Sequence, residues 1–407
     1  MTRPNLAWRA GATIVCSALF AVWTLAQSVP SPLGAIRATP AEKLTVNLGF
    51  RDWGPTTVAG NTILAGNSSG SGGLFAIDAL TGKLKWTSRP TGMPRGNPFV
   101  STAPAVSGDL VITPMGNTLV AVSLSTGKEV WRGPATALRA TVAASAGLAY
   151  VLGEDASFHA LDAATGREKW TLAFARTSCE SMPVVRDGTV YVTRNVLVTA
   201  ADANRAASYY LHLVALDANT GQERWRYPSA PIGITGGVCF GQPIVTADSV
   251  FAVAEQTLYA VNRATGRETW KPVEVRRPVE GQVRAVPVGG LVDAGSVLVG
   301  VTPGFVVAFD KASGKTAWEV PGQYRESSPS TAVAGRVLYF QGHPGAITAA
   351  GAATLPPGRL NALDLDTRAI LWSFSRPTAE PNWPFGVVTP VDGGLWVSSY
   401  QALVKLQ

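Results

Sequence analysis

The residues of this chain that could do chemistry are few and widely spaced. The sequence holds 3 His and 3 Cys, and His159, His212 and His343 stand far apart. No spacing of His, Cys, Asp or Glu matches a metal site, and no nucleophile elbow or Ser, His and Asp order indicates hydrolysis. The sequence therefore predicts neither catalytic nor metal-ligating residues.

Binding residues are easier to nominate, because several polar and aromatic side chains come just before predicted innermost strands. These candidate rim residues are Asp52, Trp53, Asn97, Arg139, Glu180, Gln242, Arg284, Arg325, Glu326 and Trp383. The three arginines give the set a cationic bias that suits an anionic ligand or an acidic partner peptide. The alternative is that they pair with Glu180 and Glu326 in a structural ring.

Trp53 and Trp383 are the tryptophans of this set, and they open the first and the last sheet of the predicted fold. Together they would form an aromatic patch that stacks a flat ligand or anchors a partner. Sealing the central channel is the alternative role.

The elements that position these residues come from an internal repeat, seen as LFAIDALTGKLKW at residues 74–86 and in six later copies. Each copy ends on a tryptophan, and successive tryptophans stand 45, 39, 55, 45, 48 and 54 residues apart. The seven are Trp86, Trp131, Trp170, Trp225, Trp270, Trp318 and Trp372. A period of this size is typical of a propeller blade.

Each copy reads as a hairpin. An alternating apolar strand runs into Asp-x-x-Thr-Gly, where Asp bonds the backbone of its own turn and Gly accepts a positive φ. Another strand, such as the one at residues 188–192, and a Pro-bearing segment precede each copy. We therefore predict an all-β protein, a β-propeller of four-stranded antiparallel blades in which each Trp fills the gap to a neighbour.

The two chain ends predict how the ring closes. Residues 402–407 align with the strand before the Asp of the repeat but have no outer partner. Residues 43–48 match the outer strand, with Val46 in the place of Trp. We expect the N-terminal strand to complete the last blade, which gives eight blades and removes both free edges.

The loops between second and third strands predict a working face. They lengthen to about residues 194–210 in the fourth blade and 342–359 in the seventh, and residues 67–73 in the first are rich in Gly and Ser. Lengthened loops on one side of a scaffold suggest a binding surface, and tolerated insertion is the alternative.

Two cysteines fall at equivalent places, since Cys179 and Cys239 each stand four residues before a proline, in the fourth and fifth blades. Equivalent points on neighbouring inner strands should lie near the Cα separation of roughly 4.4 to 6.8 Å that a disulfide requires. We predict a Cys179–Cys239 bridge, and two buried free thiols are the alternative.

The N-terminus and the overall charge set the compartment and exclude some partners. Residues 1–26 contain two arginines, 17 uncharged residues and a small-residue cleavage site, which predicts a signal peptide followed by a flexible linker, 27–42, and the propeller, 43–407. An uncleaved anchor is the alternative. We expect a periplasmic or secreted monomer without a transmembrane span. A formal charge of +7, spread without basic runs, argues against nucleic acid.

The repeat Ala-x-Asp-x-x-Thr-Gly-x-x-x-Trp resembles that of the pyrroloquinoline-quinone-like (PQQ-like) β-propeller family, over about residues 43–407. That family includes BamB-type eight-bladed periplasmic scaffolds of outer-membrane protein assembly and also PQQ- and calcium-dependent dehydrogenases. The resemblance to the dehydrogenases implies adjacent cysteines and often Cys-x-x-Cys-His, which this sequence lacks.

The resemblance favours a BamB-like exported scaffold of the cell envelope, with no cofactor, that presents its loop face and basic channel rim to a protein partner or small anionic ligand. The alternative function is a PQQ- and calcium-dependent alcohol or sugar dehydrogenase. Asp52, Asn97 and Glu180 would be its candidate ligands and base.

Overall fold

Eight four-stranded antiparallel sheets and one two-stranded hairpin make up the described part of the chain. The computed structural model describes residues 34–47, 53–67, 73–89, 100, 102–116, 118–133, 141–153, 157–173, 182–199, 208–235, 241–254, 256–279, 282–322, 331–342, 359–375, 387–398 and 402–407. These residues contain no helix, and hence no helical segment with the length and hydropathy of a membrane span.

The strands of the first four blades follow an N-terminal strand, β1 (Glu42–Val46). Blade 1 contains β2 (Trp53–Ala59), β3 (Thr62–Asn67), β4 (Leu74–Asp78) and β5 (Leu84–Ser88). Blade 2 contains β6 (Ala105–Ser107), β7 (Leu110–Met115), β8 (Thr118–Ser123) and β9 (Glu129–Arg132). Blade 3 contains β10 (Thr141–Ser145), β11 (Leu148–Leu152), β12 (Ser157–Asp162) and β13 (Glu168–Ala173). Blade 4 contains β14 (Val184–Arg186), β15 (Thr189–Thr199), β16 (Ser208–Asp217) and β17 (Glu223–Thr235).

The second half of the ring adds a separate hairpin. Blade 5 contains β18 (Ile244–Val245), β19 (Ser249–Ala254), β20 (Thr257–Asn262) and β21 (Glu268–Glu274), and the hairpin pairs β22 (Arg276–Val279) with β23 (Gln282–Ala285). Blade 6 contains β24 (Gly289–Asp293), β25 (Val297–Thr302), β26 (Phe305–Asp310) and β27 (Thr316–Pro321). Blade 7 contains β28 (Thr331–Ala334), β29 (Val337–Gly342), β30 (Arg359–Asp364) and β31 (Ile370–Phe374). Blade 8 contains β32 (Val388–Val391), β33 (Gly394–Ser398), β34 (Leu403–Leu406) and β1.

Closure of the ring by the N-terminus is confirmed. Strand β1 pairs antiparallel with β34, with Val46 opposite Leu403, and the blade order is β1-β34-β33-β32. The Ala41 N–H donates to the Gln407 carbonyl at 2.8 Å, which extends the pairing to the last residue. Because the ends are paired, no blade is left with three strands.

The core is divided among the gaps of the ring. Eight apolar clusters are present among the described residues, and each one joins two neighbouring blades. The cluster between blades 3 and 4, for example, packs Tyr150 and Phe158 against Val190 and Val214. Each blade therefore buries both of its apolar faces against its two neighbours, as stacked repeats do.

The repeated tryptophans fill those gaps. The indole N–H of Trp86 donates to the Leu124 carbonyl in the turn of the next blade at 2.8 Å, and Trp131 makes the same bond to Ala163 at 2.9 Å. A Cβ added at Gly166, which has φ 69°, would lie 2.6 Å from the Trp131 ring. Glycine is therefore required there by both the turn conformation and the ring packed on it.

The interfaces of blade 8 make the same bonds with different residues. Val46 stands in the place of Trp, and the buried indole of Trp396, on the second strand of the blade, donates to the Ala79 carbonyl at 3.3 Å. On the other side, Trp372 donates to the Ile36 carbonyl at 3.0 Å. Residues preceding β1 thus replace the turn that blade 8 lacks.

One prediction about loops needs correction. Residues 194–199 and 208–210, predicted as loop, continue β15 and β16, because Val196-Leu197-Val198-Thr199 is a β-prone run that pairs with residues 208–210. The β22–β23 hairpin was not predicted at all. Its sequence lacks the repeated turn motif and consists of two short runs separated by Glu280-Gly281.

Candidate functional site

The innermost strands of all eight blades surround a central channel that encloses a cavity of about 620 Å³. Its walls are largely apolar side chains and prolines, among them Val142, Pro183 and Val388. The cavity is large enough for a small ligand, since ligand pockets typically measure about 300–1,000 Å³.

Most polar groups of the channel wall hold neighbouring blades together. Thr57 Oγ1 donates to the Pro104 carbonyl at 2.7 Å, and Arg186 Nη1 donates to the Val245 carbonyl at 2.8 Å. Across the closure, Thr56 Oγ1 and Thr389 Oγ1 lie 2.5 Å apart. These bonds fix the ring and leave few donors and acceptors for a ligand.

Gln242 is the exception in the channel wall. Its side-chain Oε1 is buried and has no hydrogen-bond partner among the described residues. Gln242 precedes β18, at the end of the channel where each chain segment arrives from the preceding blade. A buried acceptor without a donor is costly, so this amide is the group of the channel wall best suited to bind water or a ligand N–H or O–H.

The charged groups at the opposite end of the channel are paired. Asp293, 7% exposed, lies 2.5 Å from Lys311 Nζ, and Asp187 accepts from Arg263 Nη1 at 2.6 Å. The bond from Arg263 lowers the pKa of Asp187. These carboxylates serve the structure.

The two ends of the ring differ in construction. We call the end that carries the Asp-x-x-Thr-Gly turns and the first-to-second-strand turns the turn face, and the other end the loop face. On the turn face, Asp217 accepts from the backbone N–H groups of Asn219 and Thr220, both at 3.0 Å, and from Arg224 at 2.7 Å. The bond from Arg224, followed by those from Thr220, lowers the pKa of Asp217 to about 2.

On the loop face, blade 4 and the β22–β23 hairpin stand out. Strands β15, β16 and β17 contain 11, 10 and 13 residues, against 5 or 6 for the corresponding strands of blade 3. The hairpin lies in the connection from blade 5 to blade 6. Both additions extend the same end of the ring, because they prolong the second-to-third and blade-to-blade connections.

Three candidate rim residues lie within the described part of the chain, at different places. Gln242 lines the channel, whereas Arg284 is exposed on β23 and donates from Nη2 to Gln282 Oε1 at 2.9 Å. Trp53 begins β2, where its backbone pairs with Asn67. Outside the described residues lie Asp52, Asn97, Arg139, Glu180, Arg325, Glu326, Trp383, Cys179 and Cys239. Their grouping at the rim and the disulfide stay predictions.

The histidines that the structure describes occupy strands. His212 on β16 is buried, and its Nδ1 lies 3.0 Å from the Pro228 carbonyl. Burial lowers its pKa, and so the neutral imidazole is favoured. His159 on β12 lies 2.8 Å from Glu168 Oε2. Both contacts are structural.

The described channel residues do not provide the donor set for calcium and a quinone cofactor. Asp293 is the carboxylate among those that line the cavity, and it is engaged by Lys311 and by the Gly295 N–H. Within the described ranges no group of three His, Cys, Asp or Glu side chains is placed to hold a metal.

Comparison with known proteins gives a family match over most of the chain. The family model described as "Outer membrane protein assembly factor BamB" matches residues 21–132, 115–207 and 195–354. Relatives by sequence include serine/threonine-protein kinase AfsK of Streptomyces griseus, 29% identical over 42% of this chain, and its namesake in Streptomyces coelicolor, 26% identical over 46%. The chain spans only 20% of the length of each kinase.

Solved structures agree with the observed architecture. BamB from Moraxella catarrhalis is 16% identical, with a TM-score of 0.60 over 91% of this chain and 98% of that one. The computationally designed Ika8 protein is 14% identical, with a TM-score of 0.63 over 90% of this chain and 99% of that one. At these identities the likeness establishes the fold and not the activity.

Proposed function

Because this chain belongs to the family of the outer membrane protein assembly factor BamB, we propose that it is an exported, non-enzymatic scaffold of the cell envelope. It acts by presenting its loop face and channel rim to a protein partner or to a small anionic ligand. The observation that carries this proposal is the elaboration of one end of the ring, by blade 4 and the hairpin, in a chain that matches this family.

The distribution of polar groups supports binding at the loop face. Turn-face carboxylates such as those of Asp217 and Asp310 accept bonds from their own turns, and Asp187 pairs with Arg263. At the loop face, Arg284 is exposed with a neutral amide as its partner. An exposed guanidinium with spare donors is suited to a carboxylate or phosphate.

The test is crosslinking in living cells with a lysine-reactive reagent, followed by identification of the captured proteins. We expect an outer-membrane assembly protein to be captured, and charge reversal at Arg139, Arg284 and Arg325 to abolish the capture. Capture that is insensitive to the triple reversal would contradict a role for the basic rim.

A titration separates the scaffold from the alternative dehydrogenase. Purified protein is mixed with pyrroloquinoline quinone and calcium, and dye reduction is followed with alcohols and sugars as substrates. A scaffold gives no turnover. Saturable quinone binding with turnover would overturn the proposal.

A further inference from the structure

The β22–β23 hairpin has one open and one blocked edge. Its register sets Arg277 opposite Arg284 and Pro278 opposite Val283. At its base the Val286 N–H donates to the Val275 carbonyl at 2.8 Å. Val275 and Val286 therefore form a hydrogen-bonded pair. Bonded and non-bonded pairs alternate along an antiparallel ladder, so Pro278 and Val283, three positions further along, form a non-bonded pair.

This alternation of bonded and non-bonded pairs gives the two outer edges of the hairpin different properties. Pro278 faces away from the hairpin without an N–H, so the outer edge of β22 lacks a donor in its middle. On β23, the N–H and C=O groups of Val283 and Ala285 point outward. No strand that the structure describes pairs with this edge.

The hairpin is held in place by its neighbours. The Arg277 side chain is only 11% exposed, its Nη2 lies 3.4 Å from Glu319 Oε2, and its Cζ lies 6.0 Å from the centre of the Phe305 ring. The Val275 N–H also donates to the Gln256 carbonyl in blade 5, at 2.7 Å. A strand edge fixed in this way loses little conformational entropy when a partner strand adds to it.

The chemistry around the edge selects its partner. Val283 is 65% exposed and offers an apolar contact beside the open strand edge. The described residues of the hairpin include Arg276, Arg277 and Arg284 and no carboxylate, and Glu280 stands in the turn by sequence. By contrast, β9, β13, β17, β21 and β27, the outer strands of blades 2 to 6, each carry a glutamate.

We propose that the outer edge of β23 is a docking site for an extended, acidic segment of a protein partner, which adds as a strand and contacts Val283 and Arg284. This proposal rests on the scaffold function and names where and how the partner binds. Main-chain bonds to Val283 and Ala285 supply affinity. Arg284 selects carboxylates over cations, because Arg276 already donates to Glu274 Oε2 at 2.7 Å and Arg277 lies beside Glu319.

The probe is a capped octapeptide of alternating valine and glutamate, carrying a fluorophore, titrated into the full-length protein at low salt. We expect saturable binding and slowed hydrogen exchange at the amides of Val283 and Ala285. The valine–lysine peptide and a valine–glutamate peptide with alternate amides N-methylated should bind at least about tenfold more weakly, since they lack the charge or the strand edge.

Variants of the protein locate the contact. V283P removes the outward N–H while leaving the hairpin bonds intact. We expect it to weaken binding of the valine–glutamate peptide by at least about tenfold. V283A should weaken it less. L80A is the matched control, because Leu80 on the turn face is similarly exposed, at 66%, and its loss should leave binding unchanged.

Several outcomes would overturn the docking site. These are equal binding of the valine–lysine and N-methylated peptides, equal loss in L80A and V283P, or no saturable binding by the valine–glutamate peptide. The comparison among peptides needs no protein variant, so it tests the docking site even if V283P misfolds. If cellular capture of a partner persists unchanged in folded V283P, the scaffold function stands and the hairpin site is wrong. If the wild-type protein captures nothing, the scaffold function itself fails.

Discussion

The turn face and the loop face of the ring are built differently and serve different purposes. The turn face repeats one device, in which an Asp or Asn side chain satisfies its own turn and a glycine packs under the tryptophan of the preceding blade. The loop face has unique additions, the lengthened blade 4 and the hairpin. Repetition stabilises the ring, and the unrepeated parts are free to bind. Changes at the turn face should therefore cost stability, whereas changes at the hairpin should cost binding.

The largest expected effect is at the closure, where Trp396 replaces the missing repeat tryptophan. W396A removes a fully buried side chain between blades 8 and 1, and we expect the free energy of unfolding to fall by about 3–5 kcal/mol in urea titrations. W396F keeps part of the packing but removes the N–H that bonds Ala79 and some ring volume, so it should cost less, about 1–3 kcal/mol. Equal costs for the two variants would contradict the packing role.

The predicted Cys179–Cys239 disulfide would be an exception to the division between a stabilising turn face and a binding loop face, because it would place a stabilising link at the loop face. If it forms, it closes a loop of about sixty residues, and C179S should lower the free energy of unfolding by up to roughly 4 kcal/mol. Peptide mapping without reductant checks the bond directly. Alkylation of both cysteines in unreduced protein would rule the bridge out.

A pair of glycines in blade 3 measures the contact with tryptophan. Gly166 and Gly147 both have positive φ, 69° and 76°, but an added Cβ meets the Trp131 ring only at Gly166 and open space at Gly147. G147A should cost about 1–3 kcal/mol from its backbone conformation. We expect G166A to cost clearly more in the same denaturant titration. Equal losses of the free energy of unfolding in G147A and G166A would show that packing against the Trp131 ring adds nothing to the cost.

A smaller effect concerns acid stability, and blade 5 provides the control. Asn262 occupies the place of Asp217 and accepts the same turn bonds, from Ala264 and Thr265 at 3.1 and 3.0 Å. The pKa of Asp217, lowered from 3.8 to about 2, adds stability above pH 4 that is lost as the pH falls towards 2. D217N should fold at pH 7 and lose less stability between pH 4 and 2. If the free energy of unfolding fell equally between pH 4 and 2 in the wild-type protein and in D217N, this role of Asp217 would be contradicted.

The sequence was sufficient for the features that recur. Seven copies of one hairpin predicted the blades, and the match of residues 43–48 to the outer strand of the repeat predicted their pairing in the last blade. The β22–β23 hairpin and the extended strands of blade 4 occur once, so no internal copy revealed them. The role of Trp396 could not be predicted from the sequence, because its bond to Ala79 joins residues 317 positions apart.

The candidate site was predicted less well than the fold. The register at the start of each innermost strand depends on connections of unequal length, and Arg284 lies in a hairpin that lengthens one of them. Gln242 lines the channel in the structure, two residues before β18 begins at Ile244. Its buried, unpaired oxygen became visible only with the packing around it.

The most direct test of a binding loop face is photocrosslinking from single positions in cells. A photoreactive amino acid replaces Val283 on the loop face or Leu80 on the turn face, two side chains of nearly equal exposure, 65% and 66%. We predict a discrete crosslinked partner from position 283 and none from position 80. Crosslinks from position 80 alone, or the same products from both positions, would contradict the assignment of binding to the loop face.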